Sequence, residues 1–372
     1  MSFDKLQEKI DAMRNPTVVG LDPALDHVPP EILDRHIAEK GETLEAAAAA
    51  VCEWGAGLID ALCDIVPAVK PQMAYYEALG PDGVWALKKT CEYAKARGMY
   101  VIFDGKRNDI GSTAQAYSAA YLGKVKVGGA WLRPFDADAV TVNAYLGSDG
   151  IKPFIEMAVK YDKALFALVK TSNPSAGELQ DLPVGNGAGC GSKGIVPLHH
   201  EAQEPTPHFT APSQGEAQER APCFTAPSQG EAQERAPCFT APSQGEAQEP
   251  PPCFTAPSFV YTVVGDLMEE ISRDTIGKYG YTRVGAVVGA TYPQEAEYLR
   301  ARLKHTFFLV PGYGAQGGSA EAAARAFDKD GRGAVINSSR AIIAAWKKNG
   351  GDYATAARVE ALRMRDELRR VI

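Results

Sequence analysis

The chain has no apolar run approaching the roughly 18 residues that a membrane-spanning helix requires. Its opening stretch, Met1-Ser2-Phe3-Asp4-Lys5-Leu6-Gln7-Glu8-Lys9-Ile10, is charged and amphipathic. It lacks the basic segment and apolar core of a secretory leader, and the cytoplasm is the expected location. Cysteine is scarce, at 7 in 372 residues, with no Cys-x-x-Cys or Cys/His ligand spacing, so no structural metal site is expected. Positive charge is also short. The formal net charge of −7 argues against nucleic acid or a membrane surface as a general partner. A small anion remains compatible, because a local cationic pocket can sit on an acidic protein. What is present is ordinary globular composition, 45% hydrophobic and 23% charged.

A tandem repeat interrupts the chain. Glu-Ala-Gln-Glu begins at Glu201, Glu216, Glu231 and Glu246, and each copy runs on to Phe-Thr-Ala-Pro-Ser with a period of 15 residues. The units are rich in Pro, Gln, Glu, Ser and Ala and nearly free of aliphatic residues. They cannot bury enough apolar surface to offset the entropy of ordering them, so the expectation is a disordered insertion. With the Gly-rich stretch that begins at Val184, it spans residues 184–258, leaving 1–183 and 259–372 as two parts of one fold.

Outside that insertion, strand and helix patterns alternate. Apolar runs suited to buried parallel strands are Thr17–Leu21, Ala68–Lys70, Tyr100–Asp104, Ala139–Asn143, Leu165–Lys170, Val284–Gly289, Phe307–Val310 and Ala334–Asn337. Amphipathic helical patterns lie between them, among them Leu44–Ile65, Val84–Arg97, Val260–Ser272, Pro293–Leu303 and Ala320–Phe327, with a last one over Tyr353–Val371. Eight such alternations predict an α/β fold, a (β/α)8 TIM barrel, with the insertion in the loop after strand 5.

The chemistry-bearing residues cluster at predicted strand ends. The third strand runs into Asp104-Gly105-Lys106-Arg107-Asn108-Asp109. Alternation along a strand points Asp104 and Lys106 the same way, into the barrel mouth, with Asp109 in the following turn. The first strand ends at Asp22 and the second at Lys70. One such charge could cap the barrel or face solvent. Three successive strands ending Asp, Lys and Asp-x-Lys predict an array in which each ammonium keeps its neighbouring carboxylates ionised. After the seventh strand, Pro311-Gly312-Tyr313-Gly314-Ala315-Gln316-Gly317-Gly318 satisfies G-x-G-x-x-G. Only about 55 residues follow, too few for the rest of a dinucleotide-binding domain. Loops after strands seven and eight of a barrel instead hold phosphate, and Arg340, following the eighth strand, can grip it bidentately. The phrase Lys170-Thr171-Ser172-Asn173-Pro174-Ser175 reads equally well as a polar turn or a binding loop. The residues alone describe a barrel enzyme for a phosphorylated small molecule, with a Lys/Asp array for proton transfer and no cofactor motif.

The pattern Asp104-x-Lys106-x-x-Asp109-Ile110-x-x-Thr113 resembles the signature of orotidine 5'-phosphate decarboxylases. Gly20-Leu21-Asp22, Val69-Lys70-Pro71-Gln72, Thr171-Ser172-Asn173-Pro174-Ser175 and the Pro311–Gly318 phrase are similar to the longer bacterial branch of that family. The resemblance implies conversion of orotidine 5'-phosphate to UMP and CO2, the last step of de novo pyrimidine synthesis, without metal or organic cofactor. It implies that Lys106 protonates C6, that Asp104 sits against the substrate carboxylate, and that Lys70 and Asp109 complete the array. Asp22 and Lys70 would contact the ribose, Ser172 the pyrimidine, and Gln316 and Arg340 the phosphate. Asp109 and Thr113 would act in trans across a homodimer. Two alternatives stand beside this reading. One is a Mg-dependent sugar-phosphate decarboxylase or aldolase of the same superfamily; the other is a catalytically silent barrel whose repeat is an interaction tether.

Overall fold

Eight parallel strands close into a barrel in a computed structural model that describes residues 2–184, 258–314 and 317–372. They are β1 (Thr17–Leu21), β2 (Ala68–Pro71), β3 (Tyr100–Arg107), β4 (Ala139–Val142), β5 (Ala164–Lys170), β6 (Val284–Val288), β7 (Phe308–Val310) and β8 (Ala334–Ser338). Each pairs with its neighbours in chain order, and β1 closes the ring on β8 with Thr17 opposite Ile336. These are the eight strands expected from the apolar runs, with ends shifted by a few residues.

The strands are apolar on both faces because both faces are covered. Outward-pointing Val19, Val69, Val101, Phe103, Val140 and Leu165 join the core shared with the outer helices. Inward-pointing Val18, Ala68, Tyr100, Ile102, Ala139 and Phe166 form a second core inside the barrel. A helix at the start of the chain, Ser2–Met13, plugs this inner core at the N-terminal ends of the strands, burying Phe3, Leu6 and Ile10. The Phe3 ring stacks on Phe307 at 5.0 Å and tilts against Phe166 at 4.9 Å between centroids. Each buried side chain of this size contributes about 1.5–3 kcal/mol. One end of the barrel is thereby sealed, and any site must open at the other.

Outer helices include Leu44–Leu62, Gly80–Ala96, Ser148–Tyr161, Val260–Ser272 and Pro293–Arg302. Thr43 starts the first of these by accepting the Ala46 N–H on its side-chain oxygen at 3.1 Å. Four helices are shorter than their patterns predict, that at Leu44 ending at Leu62 rather than Ile65 and that at Pro293 at Arg302 rather than Leu303. The one at Ala320 ends at Ala324, because Ala326 and Phe327 donate instead to the carbonyls of Ala323 and Ala324 in tight turns. Those turns keep both side chains buried without continuing the helix. The last helix, Tyr353–Leu368, ends on its last buried residue rather than at Val371.

After β5, Pro183–Val184 pairs antiparallel with Ser258–Phe259. Val184 and Ser258, assigned from sequence to the insertion, therefore take part in the described fold. The rest of the expected insertion lies outside the described residues. Among the described residues, no helix is long and apolar enough to cross a membrane.

Candidate active site

The alternation that fills the lower barrel with apolar side chains delivers polar ones to its open end. On β2 the inward series is Ala68 then Lys70, on β4 Ala139 then Thr141, and on β8 Val335 then Asn337. On β3 it is Tyr100, Ile102 and Asp104, and the Asp104 carboxylate is the hub of the polar network at this end. It accepts from Lys70 Nζ at 2.5 Å, Lys106 Nζ at 2.7 Å, Gln72 Nε2 at 3.0 Å and Thr141 Oγ1 at 3.0 Å. Burial alone would push its pKa up. The Lys70 and Lys106 ammoniums and their hydrogen bonds outweigh that and hold the carboxyl well below the usual carboxylate range. Lys70 answers in kind. Burial disfavours its charge, but Asp104 and Asp22 overcome this and raise its pKa above the ordinary lysine value.

Lys106 reaches Asp104 by a route that simple alternation does not describe. The β3–β4 register slips between Phe103 and Arg107, and Lys106 adopts a left-handed backbone with φ of 49°. A non-glycine residue held there costs about 1–3 kcal/mol. Thr141 Oγ1 accepts the Lys106 N–H at 2.9 Å while donating to Asp104, so one hydroxyl fixes both the bulge and the carboxylate. The two lysines also differ in access. The Lys70 side chain is 6% exposed and that of Lys106 is 46% exposed, so Lys106 is the ammonium facing the open space.

That space is a cavity of about 480 Å³, lined by Asp22, Lys70, Asp104, Lys106, Ser172 and Arg340 among others. Six of the nine residues singled out from sequence thus meet in one place. Arg340 opens a short helix directly after β8. Beside it, after the adjacent strand β7, Pro311, Gly312 and Tyr313 line the wall. Gly312, Gly314 and Gly317 have φ of 101°, 73° and 90°, which only glycine adopts without strain. Their loop closes through Gly318 N–H to Gly312 O at 3.1 Å. Gln316, expected at the phosphate, lies outside the described residues. Asp109 and Thr113 do not line this chain's cavity: Asp109 Oδ1 accepts the Ile110 N–H at 2.7 Å, and Thr113 is exposed.

Sequence reasoning left out Gln72, Thr141 and Asn337, all of which line the cavity. Thr141 and Asn337 occupy the same last inward position as Lys70, so strand phase could have found them. Their uncharged side chains simply did not stand out in an apolar run. Asp22 and Asp104 are the acidic residues of this lining, and Asp104 is already engaged by two ammoniums. Among the described residues there is no cluster of three or more His, Cys, Asp or Glu able to hold a metal ion.

Comparisons with known proteins show what the chain is similar to. Residues 34–210 match the model of the Orotidine 5'-phosphate decarboxylase / HUMPS family. The chain is 34% identical to orotidine 5'-phosphate decarboxylase of Rhodopirellula baltica, over 95% of this chain and 94% of that protein. It is 34% identical to the enzyme of the same name from Caldicellulosiruptor bescii, over 92% of this chain and 90% of that one. Among solved structures, Leishmania donovani OMP decarboxylase is 26% identical with a TM-score of 0.59, covering 98% of this chain and 99% of that chain. Leishmania donovani UMP synthase is 27% identical with a TM-score of 0.62; the match covers 99% of this chain and 56% of that one.

Proposed function

The chain belongs to the orotidine 5'-phosphate decarboxylase family, and we propose that it converts orotidine 5'-phosphate to UMP and CO2 in this cavity, with Lys106 as the proton donor. The observation carrying the reading is the Asp104 carboxylate clamped ionised between Lys70 and Lys106. A substrate carboxylate placed beside Asp104 is repelled, by about 4 kcal/mol at 4 Å and an effective dielectric near 20. The repulsion disappears as the C6–carboxylate bond breaks and CO2 leaves without charge. The bonding pair stays on C6, and Lys106 Nζ transfers its proton there. The attraction between ammonium and developing carbanion exists only near the transition state, which is where it accelerates the reaction. Lys106 then recovers a proton from solvent. The cationic charge comes from Lys70 and Lys106, so the step draws on no metal or organic cofactor.

Arg340 and the Gly312–Gly318 loop take the phosphate, joined by Gln316. Asp22 and Lys70 take the ribose, and Ser172 takes the pyrimidine. Holding the phosphate away from C6 lets its binding energy position the substrate rather than act at the reacting carbon. Asp109 and Thr113 complete the neighbouring site of a homodimer. The exposed Ile110, Tyr145 and Leu146 near them, at the ends of β3 and β4, supply apolar surface for that contact. Substrate and product are soluble nucleotides, so we place the activity in the cytoplasm. The test is Lys106→Ala. It should lower kcat by about 10²–10⁴-fold or more while UMP still binds, and unchanged turnover would remove Lys106 from the role of acid.

A further inference from the structure

Among the described residues, the mechanism leaves two buried ammoniums unused, Lys163 and Lys170. Lys170, the last residue of β5, is 0% exposed. Its Nζ donates to Asp181 Oδ1 at 2.5 Å and lies 4.3 Å from the Tyr292 ring centroid and 5.5 Å from that of Tyr261. An ammonium taken fully out of water is tolerated only when a carboxylate and polarisable rings replace its hydration. The residues it joins decide what it does. Lys170 and Asp181 bracket the segment Thr171–Gln180, which carries Ser172 to the cavity wall.

The same segment is tied a second time just inside that ion pair. Thr171 N–H donates to Gln180 Oε1 at 2.9 Å, and Gln180 Nε2 donates to Thr171 Oγ1 at 2.8 Å. On its far side, Thr291 Oγ1 donates to Ser172 O at 3.3 Å and Tyr292 Oη to Asn173 O at 3.2 Å. Gly289 lets the backbones approach: a Cβ there would stand 2.8 Å from Ser172 Cα. Outside the clasp, Leu182 O accepts the Val260 N–H, and Pro183–Val184 pairs with Ser258–Phe259. The Ser172 loop is therefore closed at its base before the chain departs into residues 185–257.

We infer that Lys170 and Asp181 are positioning residues: their ion pair, buried at its lysine end and half-exposed at Asp181, sets the Ser172 loop against the pyrimidine end of the cavity and holds it there independently of residues 185–257. The inference rests on the decarboxylase reading for the identity of the ligand. If Ser172 contacts the base equally in ground and transition states, loosening its loop weakens binding of both, raising KM and leaving kcat alone.

The experiment uses the full chain. Asp181→Asn should raise KM for orotidine 5'-phosphate, and Kd for UMP, about tenfold with kcat within about threefold, and Asp181→Glu should restore most of the loss. In a Ser172→Ala background, Asp181→Asn should add little, since the contact it positions is already gone. Should Asp181→Asn fail to fold, the Lys170→Met/Asp181→Leu double variant removes both charges at similar volume and should show the same KM effect. Loss confined to kcat, or full additivity with Ser172→Ala, overturns the assignment. Wild-type protein that neither turns over orotidine 5'-phosphate nor binds UMP would instead overturn the decarboxylase reading.

Discussion

Asp104 is the residue whose neighbours set the chemistry, and its titration yields a signed prediction. Its pKa lies below its ordinary 3.8. Its ionised form thus contributes stability fully above that value, and the contribution is lost as pH falls through the depressed one. Lys70 lies above its ordinary 10.5, so its contribution is complete below that value and is lost as pH rises through the raised one. Neither group changes charge between about pH 5 and about pH 9. Stability attributable to this pair should be flat across that window, and Asp104→Asn should make it worse at every pH within it. Thermal melts of both proteins across the range check this; an Asp104-dependent transition near pH 5 or 6 would contradict the charge assignment. The charged part of this site was legible because period-two alternation in apolar strands makes Asp22, Lys70 and Asp104 conspicuous. Alternation also pointed Lys106 into the mouth, but its left-handed backbone was not legible. Its direction depends on a register slip set by Thr141 on the next strand, a contact that no local pattern contains.

At the scale of elements, the glycine-rich loop after β7 is anchored from behind. Tyr313 Oη donates to Glu367 Oε2 at 2.5 Å, tying the loop to the last helix. A hydrogen bond of this kind contributes about 1 kcal/mol, or about fivefold in affinity. Tyr313→Phe should therefore raise KM for orotidine 5'-phosphate severalfold with little change in kcat. Steady-state kinetics decide it, and an unchanged KM would mean that the loop holds its shape unaided. The loop's glycines and its place after the seventh strand could be read from sequence; the strut from the last helix could not. The pattern of that helix says which face is buried, not which loop it buttresses. The barrel's eight strands were legible for the opposite reason. Burial on both faces leaves an unbroken apolar run, which is a local property of each segment.

For the whole molecule, the expected homodimer makes a prediction that one subunit cannot satisfy. Lys106→Ala and Asp109→Ala proteins should each be nearly inactive. After mixing and subunit exchange, activity should recover toward about a quarter of wild type, since half the dimers are mixed and each carries one intact site. No recovery on exchange would place Asp109 in its own chain's site. The repeat makes a second prediction. Lengthening a loop from about 15 to about 90 residues costs only about 1.5 kcal/mol of closure entropy. Deleting residues 188–256, which spares the Val184–Ser258 pairing, should therefore leave kcat/KM within severalfold; collapse of folding would make the repeat structural. The repeat was legible as a 15-residue period and, up to Pro257, lies outside the described residues, while its purpose is written in no spacing.

The most direct measurement is turnover of orotidine 5'-phosphate by the full-length protein, followed as UMP formed and CO2 released, with and without a strong chelator. Equal rates in both conditions, with one UMP for each CO2, are what a Lys–Asp array acting alone predicts. Absence of turnover, or turnover abolished by chelation and restored by Mg2+, would contradict it.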